Sequence, residues 1–393
     1  MELTGRLCST NEYATLTLAE GKISKSAPGL SNQAFGGKDI YLSPGFFDIQ
    51  VNGYAGFDFN IGAWGTAEEV SHDPERIVER LALSGTALLC PTITTNSEAN
   101  VLEAFSTLAR LMDTRSEFSS AIPGFHLEGP YLSSEDGPRG AHPLEHIRPP
   151  DWDEFQRFQA AAGGRIRLCT LAPELPGALG FIQKLVNSGV VVSIGHTAAE
   201  PETIREAVDS GATMSTHLGN GAHAFLKRHP NYLWEQLAED RLVASVISDK
   251  HHLPGSVLKT FARTKGFEKI ALISDAVSLG GLPAGRYAKG AYEVLSSGKV
   301  VTSGTPYLAG SGHLLDSCLA NAIRETDLSL SEAIHCMTAV PAKILGLEGH
   351  KGCLDAGYDA DITMFRMNLD QTLEIVATFR AGKCAYQKPN FEI

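Results

Sequence analysis

The sequence of 393 residues predicts an α/β protein: a (β/α)8 TIM-type barrel over residues 44–349, with a small discontinuous β-sandwich domain formed by residues 1–43 together with residues 350–393. Two observations support this prediction. Eight short apolar runs rich in β-branched residues alternate with longer amphipathic stretches, which is typical of βα units around a parallel sheet. The two ends of the chain instead carry short β-rich segments separated by turn residues.

The eight apolar runs are the predicted barrel strands, since eight is the strand number of a TIM-type barrel. Nearly every run begins with apolar residues and finishes with His, Glu, Asp, Asn or Thr. The carboxyl ends of the strands form the catalytic rim of such a barrel, so these polar residues are the candidates for a functional site. In chain order the runs cover residues 45–53, 87–95, 121–129, 165–174, 190–197, 212–220, 242–249 and 269–276.

Three intervals between the runs have clear helical patterning. Residues 74–85, 178–189 and 201–211 carry apolar side chains at i, i+3 and i+4 and finish in Gly, which readily closes a helix. We expect each of these helices to pack its apolar stripe against the outside of the sheet.

The segments outside the barrel are predicted to form a separate small sheet. Because the barrel lies between the two ends in sequence, the ends are expected to pair in space as one discontinuous domain. The predicted strands lie within residues 16–23, 39–43, 360–365 and 373–387.

Composition argues against several classes of protein. A formal net charge of −12 disfavours binding to nucleic acid or to an anionic membrane surface, because both need a basic face. No run of about 18 apolar residues occurs, so no membrane-spanning helix is expected. The seven cysteines are scattered without a C-x-x-C pair, and the N-terminal stretch lacks signal-peptide character. We therefore expect a cytoplasmic location.

Five residues at the predicted strand ends have the chemistry of a catalytic metal site: His126, Glu128, His196, His217 and Asp275. Catalytic zinc sites use three protein ligands and leave one position for water, and Glu128, His196 and His217 would fill those three places. Such a metal could bring the pKa of a water toward about 7. Asp275 would then act as the general base that takes a proton from this water. We expect one divalent metal per subunit, with Zn²⁺ preferred and Fe²⁺, Mn²⁺, Co²⁺ or Ni²⁺ also compatible with these ligands.

Each of these residues also has a purely structural interpretation. A single buried His is more often a core residue than a ligand, a Glu before Gly-Pro is commonly a turn residue, and a buried Asp can be satisfied by strong donors. The joint pattern favours the metal site, because four chemically matched residues fall at the same rim.

Short motifs run along essentially the whole chain in one order: PGFFDIQVNG, LLCPTITTN, GFHLEGPYLS, GAH, TLAPE, VVVSIGHT, STHLGN, ISDA, LAGS and GCLDAGYDAD. They resemble the amidohydrolase superfamily and, within it, the N-acetylglucosamine-6-phosphate deacetylase family. HLEGP, GHT and THL at this spacing are the most specific part of the resemblance. It implies metal-dependent hydrolysis of the N-acetyl group of N-acetylglucosamine 6-phosphate to glucosamine 6-phosphate and acetate, in amino-sugar catabolism.

The first predicted strand ends in two carboxamides, Gln50 and Asn52. Many amidohydrolases carry His-x-His at this place to hold a second metal, whereas some members of the deacetylase family have Gln-x-Asn and look like single-metal enzymes. Carboxamides lack the basic nitrogen that a zinc site prefers. We therefore expect Gln50 and Asn52 to mark a former second-metal position.

Five further residues take roles only through the resemblance. His142 in GAH looks like the residue that contacts the substrate and polarises the acetyl carbonyl. Asn220 and Gly221 look like contacts to the sugar phosphate. Arg228 and His252 match the phosphate contacts of the family, with Arg228 reaching in from a neighbouring subunit, which implies a homodimer. The substrate expected is a small-molecule amino-sugar phosphate, and the donor fork of Arg suits its phosphate group.

The chain departs from the family pattern in the region that would hold the sugar. The family's H-L-[FY]-N-A-M is HLGNGA here, R-E-P is RHP, D-G-x-H is DKHH and T-D-A is SDA. Gly219 and His223 could reshape the pocket, and the roles of His223 and His251 stay open. Three alternatives therefore stand beside the main hypothesis: a deacetylase of N-acetylgalactosamine 6-phosphate, a hydrolase of an N-acyl amino acid, and a non-catalytic barrel that binds a sugar phosphate.

Overall fold

The computed structural model describes residues 1–62, 68–305, 307–389 and 391. Twenty strands occur within these residues. They are β1 (Glu2–Leu7), β2 (Tyr13–Ala19), β3 (Lys22–Pro28), β4 (Phe35–Pro44), β5 (Phe46–Val51), β6 (Gly53–Tyr54), β7 (Phe57–Asp58), β8 (Thr86–Thr94), β9 (Phe125–Glu128), β10 (Ile166–Leu171), β11 (Val191–Ile194), β12 (Met214–Ser215), β13 (Val243–Ile247), β14 (Ile270–Ile273), β15 (Gly285–Tyr287), β16 (Tyr292–Val294), β17 (Val300–Thr302), β18 (Ile362–Met367), β19 (Leu373–Arg380) and β20 (Lys383–Gln387).

The helices of the described residues lie mostly between the barrel strands. The three intervals predicted to be helical contain α1, α5 and α6, and α1 begins where Asp73 caps the backbone amide of Arg76 and Pro74 follows. The helices are α1 (Pro74–Ala82), α2 (Glu98–Thr114), α3 (Ser116–Ala121), α4 (Trp152–Ala161), α5 (Ala178–Asn187), α6 (Pro201–Asp209), α7 (Tyr232–Ala238), α8 (Gly255–Lys265), α9 (Leu315–Glu325), α10 (Leu330–Cys336) and α11 (Ala339–Ile344), with short 3₁₀ turns at Leu144–His146, Phe267–Lys269 and Ala288–Gly290. No described helix has the length and apolar character needed to cross a membrane.

The central sheet is an eight-stranded barrel of the TIM type, as predicted. Its strands follow the order β14-β13-β12-β11-β10-β9-β8-β5, and every neighbouring pair is parallel. The last and first strands meet through a bridge between Val51 and Ala276, and the amide of Asn52 donates to the carbonyl of Ala276 over 2.8 Å. Seven of the eight predicted runs contain one of these strands, and the eighth strand, β8, begins one residue before its run.

The two ends of the chain share a second sheet, with the order β20-β19-β18-β4-β1-β2-β3. Strand β4 is the junction, since it pairs with β1 in parallel and with β18 in antiparallel fashion. Apolar residues from both halves of this sheet, among them Leu16, Leu42, Met364 and Phe379, form one buried cluster. The prediction that a small sheet is built from both termini is confirmed, and the exact domain limits at residues 44 and 349 stay a prediction.

A buried guanidinium joins the terminal sheet to the barrel. Arg380 donates from Nε to the carbonyl of Ala87 and from one terminal nitrogen to the carbonyls of Val78 and Thr86, at 2.8 to 3.2 Å. Only 7% of Arg380 is exposed. A charged group can be buried in this way because carbonyl acceptors surround it.

The strand ends place the predicted site at one rim of the barrel. Glu128 closes β9, whereas His196, His217 and Asp275 follow β11, β12 and β14 within two residues. These last three residues have φ angles of 51°, 32° and 52°, in the left-handed region that residues other than Gly seldom adopt. Such conformations persist where the surrounding structure enforces them, which is common at functional sites.

Candidate metal centre and substrate cavity

The side chains of Glu128, His196 and His217 converge at the rim of the barrel. Each offers one ligand atom, and these atoms all lie within 4.8 Å of one another. The Nε2 atoms of His217 and His196 lie 3.2 and 3.4 Å from Oε1 of Glu128 and 3.0 Å from each other. All three residues are buried.

Backbone groups hold the ring of His196 in place. Its Nδ1 lies 2.8 Å from the carbonyl oxygen of Pro138. Because a carbonyl only accepts, Nδ1 carries a proton, and Nε2 is the ring nitrogen that faces the cluster. Gly140 and Gly221 pack against this ring. A Cβ added at Gly140 would lie 3.2 Å from Cε1 of His196, and a Cβ added at Gly221 would lie 2.7 Å from Nδ1 of His196.

This set of donors fits a divalent cation. A carboxylate and two imidazole nitrogens are ligands of catalytic zinc sites. Burial favours a protonated Glu128, but the hydrogen bonds and charges of His196 and His217 outweigh it and hold the pKa of Glu128 well below its usual value. Nδ1 of His217 is a buried nitrogen that finds no hydrogen-bond partner among the described residues. The cluster therefore joins an ionised carboxylate to two imidazole rings, a donor set that a divalent cation would complete.

Gln50 and Asn52 contact the two carboxylates of the site. Nε2 of Gln50 donates to Oε1 of Glu128 at 2.9 Å and to Oδ1 of Asp275 at 3.2 Å, and Nδ2 of Asn52 donates to the same oxygen of Asp275 at 2.8 Å. Burial and the nearby charge of Glu128 raise the pKa of Asp275 to about 6. The carboxamides thus connect the ligand carboxylate to a second acid with an elevated pKa.

His142 lies on the other side of the cluster. Its Nδ1 is 2.9 Å from the hydroxyl oxygen of Thr95, and its Nε2 is 3.2 Å from Nε2 of His196. Burial, with the adjacent His196, lowers the pKa of His142 to about 3. At neutral pH this ring is therefore a neutral imidazole.

These residues open onto a cavity of about 880 Å³ at the rim. Gln50 is not among the residues that line this cavity. Arg228 is exposed on the surface of this chain and is likewise not among the lining residues. Apart from His126, the remaining predicted site residues all line the cavity: Asn52, Glu128, His142, His196, His217, Asn220, Gly221, His252 and Asp275.

His126 and His223 have other environments. Nε2 of His126 lies 2.8 Å from the hydroxyl of Thr170, and burial lowers the pKa of His126 to about 4, so it is a satisfied core residue. His223 contacts the hydroxyl of Tyr232 and the carboxylate of Glu135.

Several residues that contribute to the cavity were not identified from the sequence. Thr95 and Arg139 line it, and the signals that could have found them are a Thr at the end of the second run and a cation directly before GAH. Tyr292 and Tyr307 also line it, from the segment that contains the antiparallel strands β15, β16 and β17. None of the predicted strands or helices lies in that segment.

The amidohydrolase family model matches residues 41–386 of the chain. The chain is 36% identical to N-acetylglucosamine-6-phosphate deacetylase of Bos taurus, over 88% of this chain and 83% of the relative. It is 31% identical to N-acetylgalactosamine-6-phosphate deacetylase of Escherichia coli O157:H7, over 88% and 87%. Among solved structures, a mutant of N-acetyl-D-glucosamine-6-phosphate deacetylase from Mycobacterium smegmatis in complex with N-acetyl-D-glucosamine-6-phosphate superposes with a TM-score of 0.85, at 30% identity, covering 98% of this chain and 99% of that one.

Proposed function

The chain belongs to the amidohydrolase family and, within it, to the N-acetylglucosamine-6-phosphate deacetylases, and we propose that it hydrolyses N-acetylglucosamine 6-phosphate to glucosamine 6-phosphate and acetate. The observation that carries this proposal is the convergence of Glu128, His196 and His217 within 4.8 Å in the lining of the cavity. Asp275 and His142 lie beside them, where a general base and a hydrogen-bond donor are needed for amide hydrolysis.

One divalent cation held by Glu128, His196 and His217 would supply an acidified water and a Lewis acid for the acetyl carbonyl. We propose Zn²⁺, because two imidazoles and one carboxylate are a common catalytic zinc set, although Fe²⁺, Mn²⁺, Co²⁺ and Ni²⁺ suit the same donors. A single metal is proposed because the side-chain amides of Gln50 and Asn52 donate hydrogen bonds to the carboxylates of Glu128 and Asp275, where a second metal would need ligands.

Asp275 is the proposed general base. Both amide donors bind its Oδ1, and no hydrogen bond to Oδ2 is found within the described part of the chain. Oδ2 can therefore accept a proton from the attacking water. A carboxyl with a pKa near 6 can hold this proton briefly and then pass it to the nitrogen of the departing amine.

His142 is the proposed donor to the acetyl oxygen. If the Thr95 hydroxyl donates to Nδ1, the one proton of the neutral ring lies on Nε2, which faces the cluster. A neutral ring can donate there without adding a positive charge next to the cation. One such donor to a developing oxyanion contributes about 3–4 kcal/mol to catalysis.

We place the phosphate at Asn220, Gly221 and His252, which line the same cavity. Arg228 is proposed to bind the phosphate of a neighbouring subunit's substrate, in a homodimer, since it is exposed on its own chain. We also propose a cytoplasmic location, which the free thiols of all seven cysteines support.

The decisive experiment is acetate release from N-acetylglucosamine 6-phosphate by purified protein of measured metal content. N-acetylgalactosamine 6-phosphate belongs in the same assay, because the Escherichia coli relative carries that name and Gly219 in the cavity lining replaces the aromatic residue of the family pattern. Unphosphorylated N-acetylglucosamine completes the panel. A higher kcat/KM for N-acetylgalactosamine 6-phosphate would identify that sugar as the substrate instead. Absence of acetate release from all three sugars would refute the proposed function.

A further inference from the structure

A second buried acid, Asp249, lies at the barrel rim outside the metal cluster. It follows β13 by two residues and is 3% exposed. Both oxygens of its carboxylate have hydrogen-bond partners. Oδ1 accepts hydrogen bonds from the backbone amides of His251 and His252 at 2.8 and 2.9 Å. Oδ2 accepts the hydroxyl of Ser311 at 3.1 Å and lies 2.8 Å from Nδ1 of His252. Neither the family resemblance nor the mechanism above gives Asp249 a role.

Asp249 is held in its charged form. Burial favours the neutral acid, but the hydrogen bond and charge of the His252 ring and the two backbone amides outweigh it and hold the pKa of Asp249 well below its usual value. An ionised carboxylate accepts and never donates, so the proton in the contact with His252 lies on Nδ1.

This contact determines what His252 presents to the cavity. The His252 side chain is 5% exposed and that of Asp249 is 1% exposed, so the pair is shielded from solvent. Because Nδ1 is directed at Asp249, the ring is left with Nε2 for the cavity that it lines. Donation to both the Asp249 carboxylate and a phosphate dianion requires a proton on each nitrogen of the His252 ring.

We propose that Asp249 is a positioning residue that holds His252 as a fixed hydrogen-bond donor to the phosphate of the substrate, an inference that rests on the function proposed above. Asp249 acts only through His252. Its contribution should therefore appear in the binding of phosphorylated ligands and disappear for unphosphorylated ones.

Ser311 ties this pair to the catalytic strand end. Its hydroxyl donates to Asp249, and its backbone amide donates to the carbonyl of Asp275 at 2.9 Å. The phosphate end and the base are thus connected by one residue, which keeps the distance between them constant. Fixed spacing of this kind favours a substrate whose phosphate and acetamide must be gripped together.

The test is steady-state kinetics of Asp249→Asn, with the exposed Asp240→Asn as a matched control. We expect KM for N-acetylglucosamine 6-phosphate to rise about tenfold or more while kcat stays within about threefold, because a buried hydrogen-bonded charge is lost. The kcat/KM for unphosphorylated N-acetylglucosamine should stay within about twofold of wild type. In a variant that already carries His252→Gln, adding Asp249→Asn should cause no further rise in KM, because Asp249 acts on the phosphate only through His252.

Equal losses on both sugars, or additive effects of the two substitutions, would show a merely structural role and overturn the inference. Asp249→Glu keeps the charge and should recover part of the lost affinity, and it serves as the second variant if the Asn form does not fold. Binding of glucose 6-phosphate by calorimetry separates the two proposals. An enzyme that releases no acetate refutes the proposed function, whereas equal glucose 6-phosphate affinity in wild type and Asp249→Asn refutes the role of Asp249.

Discussion

Asp275→Asn removes the proposed base while leaving its surroundings almost unchanged. The amide oxygen of Asn can take the place of Oδ1 and still accept from Gln50 and Asn52. The backbone at this position has a φ of 52°, and Asn is one of the few residues that adopt such values readily. The one chemical loss is Oδ2, whose replacement by an NH₂ group cannot accept a proton.

The expected magnitude follows from that single loss. A positioned general base contributes about 10²–10⁴-fold to a rate, which corresponds to roughly 3–5 kcal/mol of barrier at about 1.4 kcal/mol per tenfold. Metal content should stay near one equivalent, because Asp275 is outside the group formed by Glu128, His196 and His217. We therefore expect kcat to fall by two to four orders of magnitude in a protein that still carries its metal.

The assay measures acetate release together with metal content by mass spectrometry, on the same preparation. Asp240→Asn, the same change at an exposed position, is the control for nonspecific effects. Activity of Asp275→Asn within a few-fold of wild type would remove Asp275 from the mechanism. A loss of metal in parallel with activity would show that Asp275 holds the cation instead. Two equivalents of metal in the active wild type would contradict the single-metal proposal.

Three further predictions concern the metal, the pH dependence and the interface between the sheets. Glu128→Gln should lose most of its bound metal, because a neutral amide replaces the anionic ligand. Metal analysis after dialysis checks this, and full retention of the metal would contradict the proposed ligand set. Asp275 accepts a proton only when it is ionised, and a bound cation can only lower its pKa from about 6. A pH profile of kcat/KM should therefore be level above about pH 7 and fall with decreasing pH, with its midpoint at or below about pH 6. Arg380→Met should lower the free energy of unfolding by roughly 3–5 kcal/mol, because three buried hydrogen bonds to carbonyls are lost. This corresponds to a decrease in Tm of about 4–6 °C in calorimetry, and an unchanged Tm would refute the role of Arg380.

The barrel and its rim could be predicted from the sequence because local patterns specify them. Eight apolar runs and the helices between them follow from side-chain periodicity, and strand-end residues such as Glu128 and His217 follow once the strands share one direction. The prediction needed no knowledge of distances. Parallel strands bring their carboxyl ends to one rim whatever lies between them in sequence.

Contacts that depend on loops were beyond the reach of the sequence. The carbonyl of Pro138 that orients His196 belongs to a loop with no periodic pattern, and a backbone carbonyl is present at every residue. Asp249 stood in the sequence only as the matched Asp of DKHH, with no sign of its partner, since its pairing with Ser311 crosses 62 residues of chain. The strands β15 to β17 are three residues each, too short to show alternation.

Strand β4 has a consequence for how the newly made chain folds. Its register with β18 pairs Pro44 with Ile362, so one edge of β4 has no native partner until residues 362–367 leave the ribosome. At about 5–20 residues per second, that delay is roughly 15 to 60 s. During this time the barrel can form while an unpaired strand edge stays open beside it, and such edges recruit other chains. Protein yield in cells should therefore depend more strongly on chaperone supply than the refolding of the complete chain does.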